Sequence, residues 1–185
     1  GPITNQVARA PSHSTLILGG ARSGKSAHAE ALALACGLEP IYLATAEPRD
    51  SEMAARIAAH QRQRGPAWRT VEAPIELRPT LTDQCTPGTV VLVDCLTLWL
   101  SNIMAADRDP TVETESLCAI ATDLPGHVIF VANEVGLGIV PDNPLARAFR
   151  DHAGIMNQRI AETADNVLFV AAGLPLILKG RNPAP

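Results

Sequence analysis

Short apolar runs alternate along the chain with longer segments in which alanine, leucine and isoleucine recur at helical spacing. Runs that are apolar at nearly every position are typical of parallel strands covered on both faces. Such runs predict strands at Thr15–Leu18, Ile41–Ala44, Thr89–Val93, Val128–Ala132 and Val167–Val170, with Leu176–Leu178 as a candidate sixth. The segments between them predict helices at Lys25–Cys36, Asp50–Gln63, Leu96–Ala106, Val112–Leu124 and Leu145–Ala164. Strand and helix in alternation, joined by right-handed crossovers, give a doubly wound α/β sheet.

Local signals mark the ends of some elements. Asp50 suits a helix N-cap and Gly37 suits a helix end. The segment Arg64–Thr89 breaks the alternation with four prolines, and within it Trp68–Glu72 is a candidate edge strand. The pattern leaves open whether this segment is a surface connection or a binding loop.

The chain length favours one domain. At ~100 to 200 residues per domain, 185 residues leave no room for two independent modules. We expect a domain over residues 14–180, a disordered N-terminal tail over 1–13 and a tail over 181–185. Gly1-Pro2 resembles the scar that a protease leaves when it removes a tag.

Composition and charge narrow the class of protein. The chain is 46% hydrophobic but only 3% aromatic, so aliphatic residues must form the core, and a net charge of −4 disfavours nucleic acid as a partner. The four cysteines have no metal-ligand spacing and indicate free thiols in the cytoplasm. The longest apolar stretch, Val90–Leu100, contains Asp94 and is shorter than the ~18 residues of a membrane helix.

The segment Gly19–Ser26 carries the strongest chemical signal. It reads GGARSGKS and fits the phosphate-binding pattern G-x-x-x-x-G-K-[ST], between a predicted strand and a predicted helix. Glycines allow backbone N–H groups to close around phosphate oxygens, and the helix N-terminus adds partial positive charge. Lys25 would then reach the β and γ phosphates of a nucleoside triphosphate, and Ser26 would ligate Mg²⁺. The fold expected is therefore P-loop NTPase-type (RecA-like), with a mostly parallel sheet and helices on both faces.

Polar residues follow two further strands. Asp94 ends one apolar run, at the sheet edge where α/β proteins bind ligands, and suits either a magnesium ligand or a helix N-cap. Asn133-Glu134 ends the next run and leads into Val135–Pro141, whose glycines and proline suit either a shaped loop or a solvated turn.

The helix predicted at Asp50–Gln63 carries a basic stripe. Arg56, His60 and, if the helix continues, Arg64 recur every four residues and share one face. A neutral imidazole between two guanidiniums would suit attack on a phosphate. Spacing alone favours the simpler interpretation, a solvated basic face with an incidental histidine. In the same way Arg147, Arg150 and Arg159 are interpreted as surface residues and Trp99 as a core residue.

Taken in order, several segments resemble one family, the bifunctional adenosylcobinamide kinase/adenosylcobinamide-phosphate guanylyltransferases of cobalamin biosynthesis. The similarity runs from Thr15 to Lys179, and the Asn-Glu-Val-Gly-x-Gly-Ile-Val-Pro block is its most particular part. The segments that carry it are Gly19–Ser26, Tyr42–Ala46, Glu52–Ile57 with His60, Trp68–Glu72, Asn133–Pro141 and Leu145–Asp151.

This resemblance implies two reactions and reverses the interpretation of His60. Family members phosphorylate the aminopropanol hydroxyl of adenosylcobinamide with ATP or GTP. A histidine at this place then attacks the α-phosphate of GTP, releases pyrophosphate and passes the guanylyl group to adenosylcobinamide phosphate, giving adenosylcobinamide-GDP. Members often carry two adjacent histidines here, whereas this chain has Ala59-His60.

The resemblance also implies the site residues, the cofactor and the assembly. His60 and Lys25 are the catalytic candidates, and Ser26 and Asp94, a glutamate in some relatives, are the Mg²⁺ ligands. The implied nucleotide-binding residues are Gly19, Gly20, Ala21, Arg22, Ser23, Gly24, Lys25, Ser26, Ala44, Thr45, Ala46, Gln61, Arg62, Gln63, Arg64, Glu72 and Asp94. The expected assembly is a homo-oligomer, a trimer by family precedent, with the site near a subunit boundary. Two alternatives stay open: a plain P-loop small-molecule kinase, and a nucleotide-binding regulatory module without group transfer.

Overall fold

The computed structural model describes residues 13–183. Its centre is a seven-stranded sheet in the order β3-β2-β4-β5-β1-β6-β7. The strands are β1 Ser14–Gly19, β2 Glu39–Ala44, β3 Arg69–Glu72, β4 Thr89–Asp94, β5 His127–Asn133, β6 Asn166–Ala171 and β7 Leu174–Lys179. All neighbouring strands are parallel except β7, which runs antiparallel to β6. The five predicted strands and the candidate sixth are confirmed, and the expected mostly parallel α/β sheet with them.

Six helices connect the described strands. They are α1 Lys25–Ala35, α2 Ser51–Arg64, α3 Leu77–Gln84, α4 Leu96–Ala105, α5 Pro110–Ala121 and α6 Pro144–Thr163. The Asp50 carboxylate accepts a hydrogen bond from Met53 N at 2.7 Å, so its predicted N-cap role is confirmed. Gly37 follows the end of α1 with a φ of +69°, a left-handed conformation that glycine adopts without strain.

The helices lie on both faces of the sheet. Residues of α1, such as Leu32, pack in one core cluster against Ile17 and Leu92. Residues from α3 to α6 form the other cluster, on the opposite face, and Trp99 is buried there as expected. Its indole N–H donates to the Ile75 carbonyl at 3.0 Å. By contrast, α2 buries none of its side chains.

The proline-rich segment Arg64–Thr89 is more than a surface connection. It contains β3, which confirms the candidate edge strand, and also α3, which the sequence analysis did not predict. Leu77 and Leu81 of α3 are fully buried in the core. Prolines lowered the helical signal here, but apolar burial on one face is enough to hold a helix of two turns.

All four cysteines are free, and burial raises the pKa of Cys85 and of Cys95 to about 11, which keeps both thiols protonated.

Both ends of the described chain are hydrogen-bonded to the domain. The backbone N–H of His13 donates to Asp165 at 2.9 Å, and that of Arg181 donates to Asn166 at 3.0 Å. The predicted tails span 1–13 and 181–185; residues 1–12 and 184–185 of them lie outside the described residues, and the domain bounds at 14 and 180 stay a prediction. Across residues 13–183 helix length and composition nowhere meet the requirements of a membrane-crossing helix.

Candidate functional site

The phosphate loop, Gly19–Ser26, turns the chain from β1 into α1. Gly24 has a φ of +93° and caps the helix, and a Cβ on Gly19 would lie 2.4 Å from the Ser23 Oγ and 2.7 Å from the Val170 carbonyl oxygen. Lys25 is buried, and its ammonium donates to the Gly20 carbonyl at 3.0 Å, across the loop. Backbone geometry therefore requires glycine at positions 19 and 24, and the lysine charge lies against the loop and the helix N-terminus.

One buried group of the loop has no partner. The Ser23 hydroxyl is buried and makes no hydrogen bond to the described residues. A buried hydroxyl is normally satisfied, so this oxygen indicates a ligand or water in the loop. Arg22 and Ser26 are exposed at the same end of α1.

A hairpin turn supports the loop from behind. The N–H of Gly173, between β6 and β7, donates to the Ser23 carbonyl at 2.6 Å, and a Cβ on Gly24 would lie 3.0 Å from the Gly173 Cα. The residues of this turn were not among the site residues expected from the sequence. The Ala172-Gly173 pair between two apolar runs is the signal that could have found it, since both residues take positive φ in the tight turn.

Asp94 stands at the carboxyl end of β4, separated from β1 by one strand, β5. The N-cap interpretation of Asp94 is wrong, because Cys95 caps α4 and its sulfur accepts from Leu98 N at 3.4 Å. One carboxylate oxygen of Asp94 accepts a hydrogen bond from the Tyr42 hydroxyl. The carboxylate is half-buried and faces the same edge as the phosphate loop.

Thr45 fastens the ends of β2 and β4 together. Its hydroxyl donates to the Cys95 carbonyl at 2.7 Å and accepts from Cys95 N at 2.9 Å, while Thr45 N donates to the Asp94 carbonyl at 3.2 Å. The side chain is fully buried. The hydroxyl and the backbone N–H of Thr45 are thus hydrogen-bonded within the protein. Of the three predicted nucleotide contacts Ala44, Thr45 and Ala46, Ala46 is the most exposed.

Helix α2 places the basic stripe above this edge. His60 is exposed, whereas Arg64 is half-buried with its guanidinium carbon 3.4 Å from the centre of the Tyr42 ring. The Arg64 Nε is buried and has no hydrogen-bond partner among the described residues. Arg56 is exposed, as are Gln61, Arg62 and Gln63 in the last turn.

Glu30 of α1 joins this group, although the sequence analysis did not single it out. Burial raises the pKa of its carboxyl, the Arg64 guanidinium opposes that shift, Asp94 adds to it and His60 opposes it. One carboxylate on α1 therefore interacts electrostatically with three predicted site residues, Arg64 and His60 of α2 and Asp94 of β4. Glu30 follows Ser26 by four residues on the same helix face, which is the signal that could have identified it.

Glu72 ends β3 beside the end of β2, because Ala44 and Glu72 are register partners. Its side chain is exposed. The structure thus brings together at one sheet edge the phosphate loop, Asp94, the residues at 44–46, Glu72 and the last turn of α2.

The loop after β5 is shaped by internal hydrogen bonds, although its residues from Leu137 to Val140 are exposed to solvent. Glu134 N donates to the Gly19 carbonyl at 2.9 Å, and the Glu134 carboxylate accepts from Gly136 N at 2.6 Å. Arg150 donates to the Gly136 carbonyl, and Arg147 donates to the Pro141 carbonyl at 2.9 Å. Arg147 is exposed, in agreement with its interpretation as a surface residue, whereas Arg150 is half-buried, and both brace this loop. Arg159, in contrast, forms ion pairs with Glu115 and Glu162 at the surface.

Comparisons with known proteins agree with this arrangement. A family model described as "Cobinamide kinase / cobinamide phosphate guanyltransferase" matches residues 15–178. The bifunctional adenosylcobalamin biosynthesis protein CobP of Pseudomonas aeruginosa is 49% identical over 167 residues, which cover 89% of this chain and 96% of that protein. The corresponding protein CobU of Escherichia coli is 41% identical over 179 residues, which cover 89% of this chain and 98% of that protein.

A solved structure shares the fold at low sequence identity. The P4 protein from bacteriophage phi6, in complex with ADP, superposes with a TM-score of 0.51 at 15% identity, over 89% of this chain and 54% of that one. This likeness confirms the P-loop NTPase type of fold. At this sequence identity it gives no information about the reaction.

Proposed function

The chain belongs to the cobinamide kinase / cobinamide phosphate guanyltransferase family, and we propose that it performs both reactions, on adenosylcobinamide and then on adenosylcobinamide phosphate. The observation that carries this proposal is the meeting of a phosphate loop, a strand-end carboxylate and a histidine-bearing helix at one sheet edge. A plain kinase needs only the first two of these. A regulatory module needs no nucleophile at all.

The kinase step uses the phosphate loop. The hydroxyl oxygen of the substrate attacks the γ-phosphorus of ATP or GTP, the bond to the bridging oxygen breaks, and the nucleoside diphosphate leaves. Such a transfer depends on positioning and on neutralising charge at the phosphates. The loop N–H groups, Lys25 and the N-terminus of α1 supply both, and the buried, unpartnered Ser23 hydroxyl supports a phosphate ligand at this place.

The guanylyl transfer uses His60. An imidazole nitrogen attacks the α-phosphorus of GTP, the bond to pyrophosphate breaks, and a guanylyl-histidine forms. A phosphate oxygen of adenosylcobinamide phosphate then attacks the same phosphorus, and the nitrogen–phosphorus bond breaks. A covalent nucleophile of this kind divides one displacement into two easier ones. The exposure of His60 and its electrostatic interaction with Glu30 of α1 support this role.

The same proposal covers the nucleotide contacts. Residues 19–26 hold the phosphates, and Ala44, Ala46, Glu72, Asp94 and residues 61–64 surround the nucleoside. The buried, unpartnered Nε of Arg64 supports a guanidinium that is free to take an acceptor from the nucleotide. Thr45 acts as a support, since its hydroxyl is already used.

Mg²⁺ is the cofactor that fits these residues. Among residues 13–183 no group of three or more histidine, cysteine, aspartate or glutamate side chains is placed to hold a metal ion. Mg²⁺ commonly takes one or two protein oxygens and completes its shell with phosphates and water. The Ser26 hydroxyl and the Asp94 carboxylate, whose other oxygen is bound by Tyr42, are such oxygens. When bound, the ion would neutralise charge on the transferred phosphates.

One labelling experiment separates the alternatives. The protein is incubated with GTP labelled at the α-phosphate, and acid-labile, alkali-stable label on the protein is measured. We expect the label in the unaltered chain and in the control variant His152→Ala, whose histidine lies on α6, and we expect none in His60→Ala. Phosphorylated adenosylcobinamide without any protein label would leave only the plain kinase. Intact GTP binding with neither activity would favour the regulatory module.

The assembly and location belong to the same proposal. We propose a cytoplasmic homo-oligomer, a trimer by family precedent, with the site near a subunit boundary. Support comes from free cysteines and from large apolar side chains that stay exposed in two places. These side chains are Leu137, Ile139, Val140 and Leu145 near the loop after β5, and Leu174, Leu176, Ile177 and Leu178 on the edge strand β7. Exposed apolar groups on this scale are typical of protein interfaces.

A further inference from the structure

Helix α2 carries His60 but has little to hold it in place. None of its side chains is buried, and the residues on either side of His60 are exposed. Only Ile57, Ala58 and Arg64 of this helix are even half-buried, so few side chains fix its position. At its N-terminus the Asp50 cap acts within the helix. At its C-terminus Arg64, four residues after His60 and on the same face, contacts the sheet.

Tyr42 of β2 receives that contact. The Arg64 guanidinium carbon lies 3.4 Å above the ring centre, a cation–π distance. Trp68 meets the same ring edge-on, with centroids 6.1 Å apart and an interplanar angle of 80°. Tyr42 itself is fixed at its hydroxyl, which donates to Asp94. Three sides of one ring are thus occupied by Arg64, Trp68 and Asp94.

The hydrogen bond from Tyr42 to Asp94 also affects the ring face that Arg64 contacts. A hydrogen bond to a carboxylate enriches the ring in electrons and favours a cation on its face. The Glu30 carboxylate and the Arg64 guanidinium also attract each other electrostatically.

We propose that Tyr42 is a positioning residue for guanylyl transfer. Through its contact with Arg64 it fixes the last turn of α2, and with it His60, at the sheet edge that carries the phosphate loop. The proposal rests on the role of His60 proposed above. Tyr42 acts on the reaction through α2 and has no direct part in the chemistry. Formation of the guanylyl-histidine should therefore depend on Tyr42 more strongly than the kinase step does, because the kinase step uses the phosphate loop of α1.

The test compares Tyr42→Leu with Tyr42→Phe. The first removes the aromatic face under Arg64, and the second keeps it. At saturating GTP, we expect the rate of label transfer from α-labelled GTP to His60 to fall about tenfold in Tyr42→Leu, the order a partly desolvated cation–π contact supports. Tyr42→Phe should recover most of that rate. Kinase turnover with ATP and adenosylcobinamide should fall much less in Tyr42→Leu, which also shows that the variant folds.

A double-mutant cycle with Arg64→Met identifies the path. If Tyr42 acts through Arg64, the double variant should label His60 no more slowly than the slower single variant. Additive losses would overturn the proposal, as would an unchanged labelling rate in Tyr42→Leu or equal losses of both activities. A merely higher GTP requirement, with the saturated rate intact, would assign Tyr42 to nucleotide binding and also overturn it. Absence of label in the unaltered chain would instead overturn the proposed role of His60.

Discussion

Several polar side chains at the sheet edge are buried, and some of them lack a hydrogen-bond partner within the protein. The buried Lys25 ammonium donates to a loop carbonyl. By contrast, the buried Ser23 hydroxyl and the buried Nε–H of Arg64 have no hydrogen-bond partner among the described residues. Unsatisfied buried groups cost stability, so proteins keep few of them. Two of the five such side-chain atoms among residues 13–183, those of Ser23 and Arg64, lie at this edge, where a bound nucleotide would supply their partners.

Removal of the Lys25 charge tests the sharing of one phosphate loop by both reactions. Lys25→Ala should lower kinase turnover and His60 labelling on the order of a hundredfold each, because both transfers develop charge on phosphate oxygens. The measurement is the initial rate of each reaction with saturating nucleotide. Lys179→Ala is the matched control, since Lys179 donates to carbonyls at the end of α6, away from the loop. Full turnover of either reaction in Lys25→Ala would contradict a shared loop.

Helices and strands were predictable to different degrees. The buried parallel strands and most helices followed from the sequence, because continuous apolar runs and capping residues such as Asp50 act locally. Helix α3 did not, since Pro79 lowers its helical propensity and the burial of Leu77 and Leu81 against other elements stabilises it. The roles of Arg147 and Arg150 also escaped prediction, because they bind carbonyls of a loop that only the fold brings near.

The dependence of α3 on burial can be measured. Leu81→Ala should lower the free energy of unfolding by about 2 to 5 kcal/mol, the usual cost of truncating a fully buried leucine. Denaturant unfolding followed by circular dichroism gives the value. The control is Leu34→Ala on α1, where the side chain is 52% exposed and the expected change is within about 0.5 kcal/mol. Equal effects in the two variants would show that α3 adds nothing to the core.

The sheet ends at an edge strand, β7, that no other described element covers in the single chain. Strand β7 is exposed along its length and carries four large apolar side chains. Such an edge favours association with further copies. We expect light scattering on the eluting protein to give a mass that is a multiple of 19.5 kDa, three times that value by family precedent. Leu176→Glu, on β7, should shift the mass towards one chain, and a single-chain mass for the unaltered protein would contradict the proposed assembly.

The sequence by itself determined the parts that act locally. The phosphate loop, the strands beside it, the capped helix that carries His60 and the family resemblance can all be read from contiguous residues, because backbone geometry and apolar periodicity are properties of neighbours in the chain. The tertiary structure decided which side chains meet. Tyr42 and Asp94 are 52 positions apart and bond only because β2 and β4 are adjacent in the sheet. Glu30 and Arg64 come together only because α1 and α2 reach the same edge.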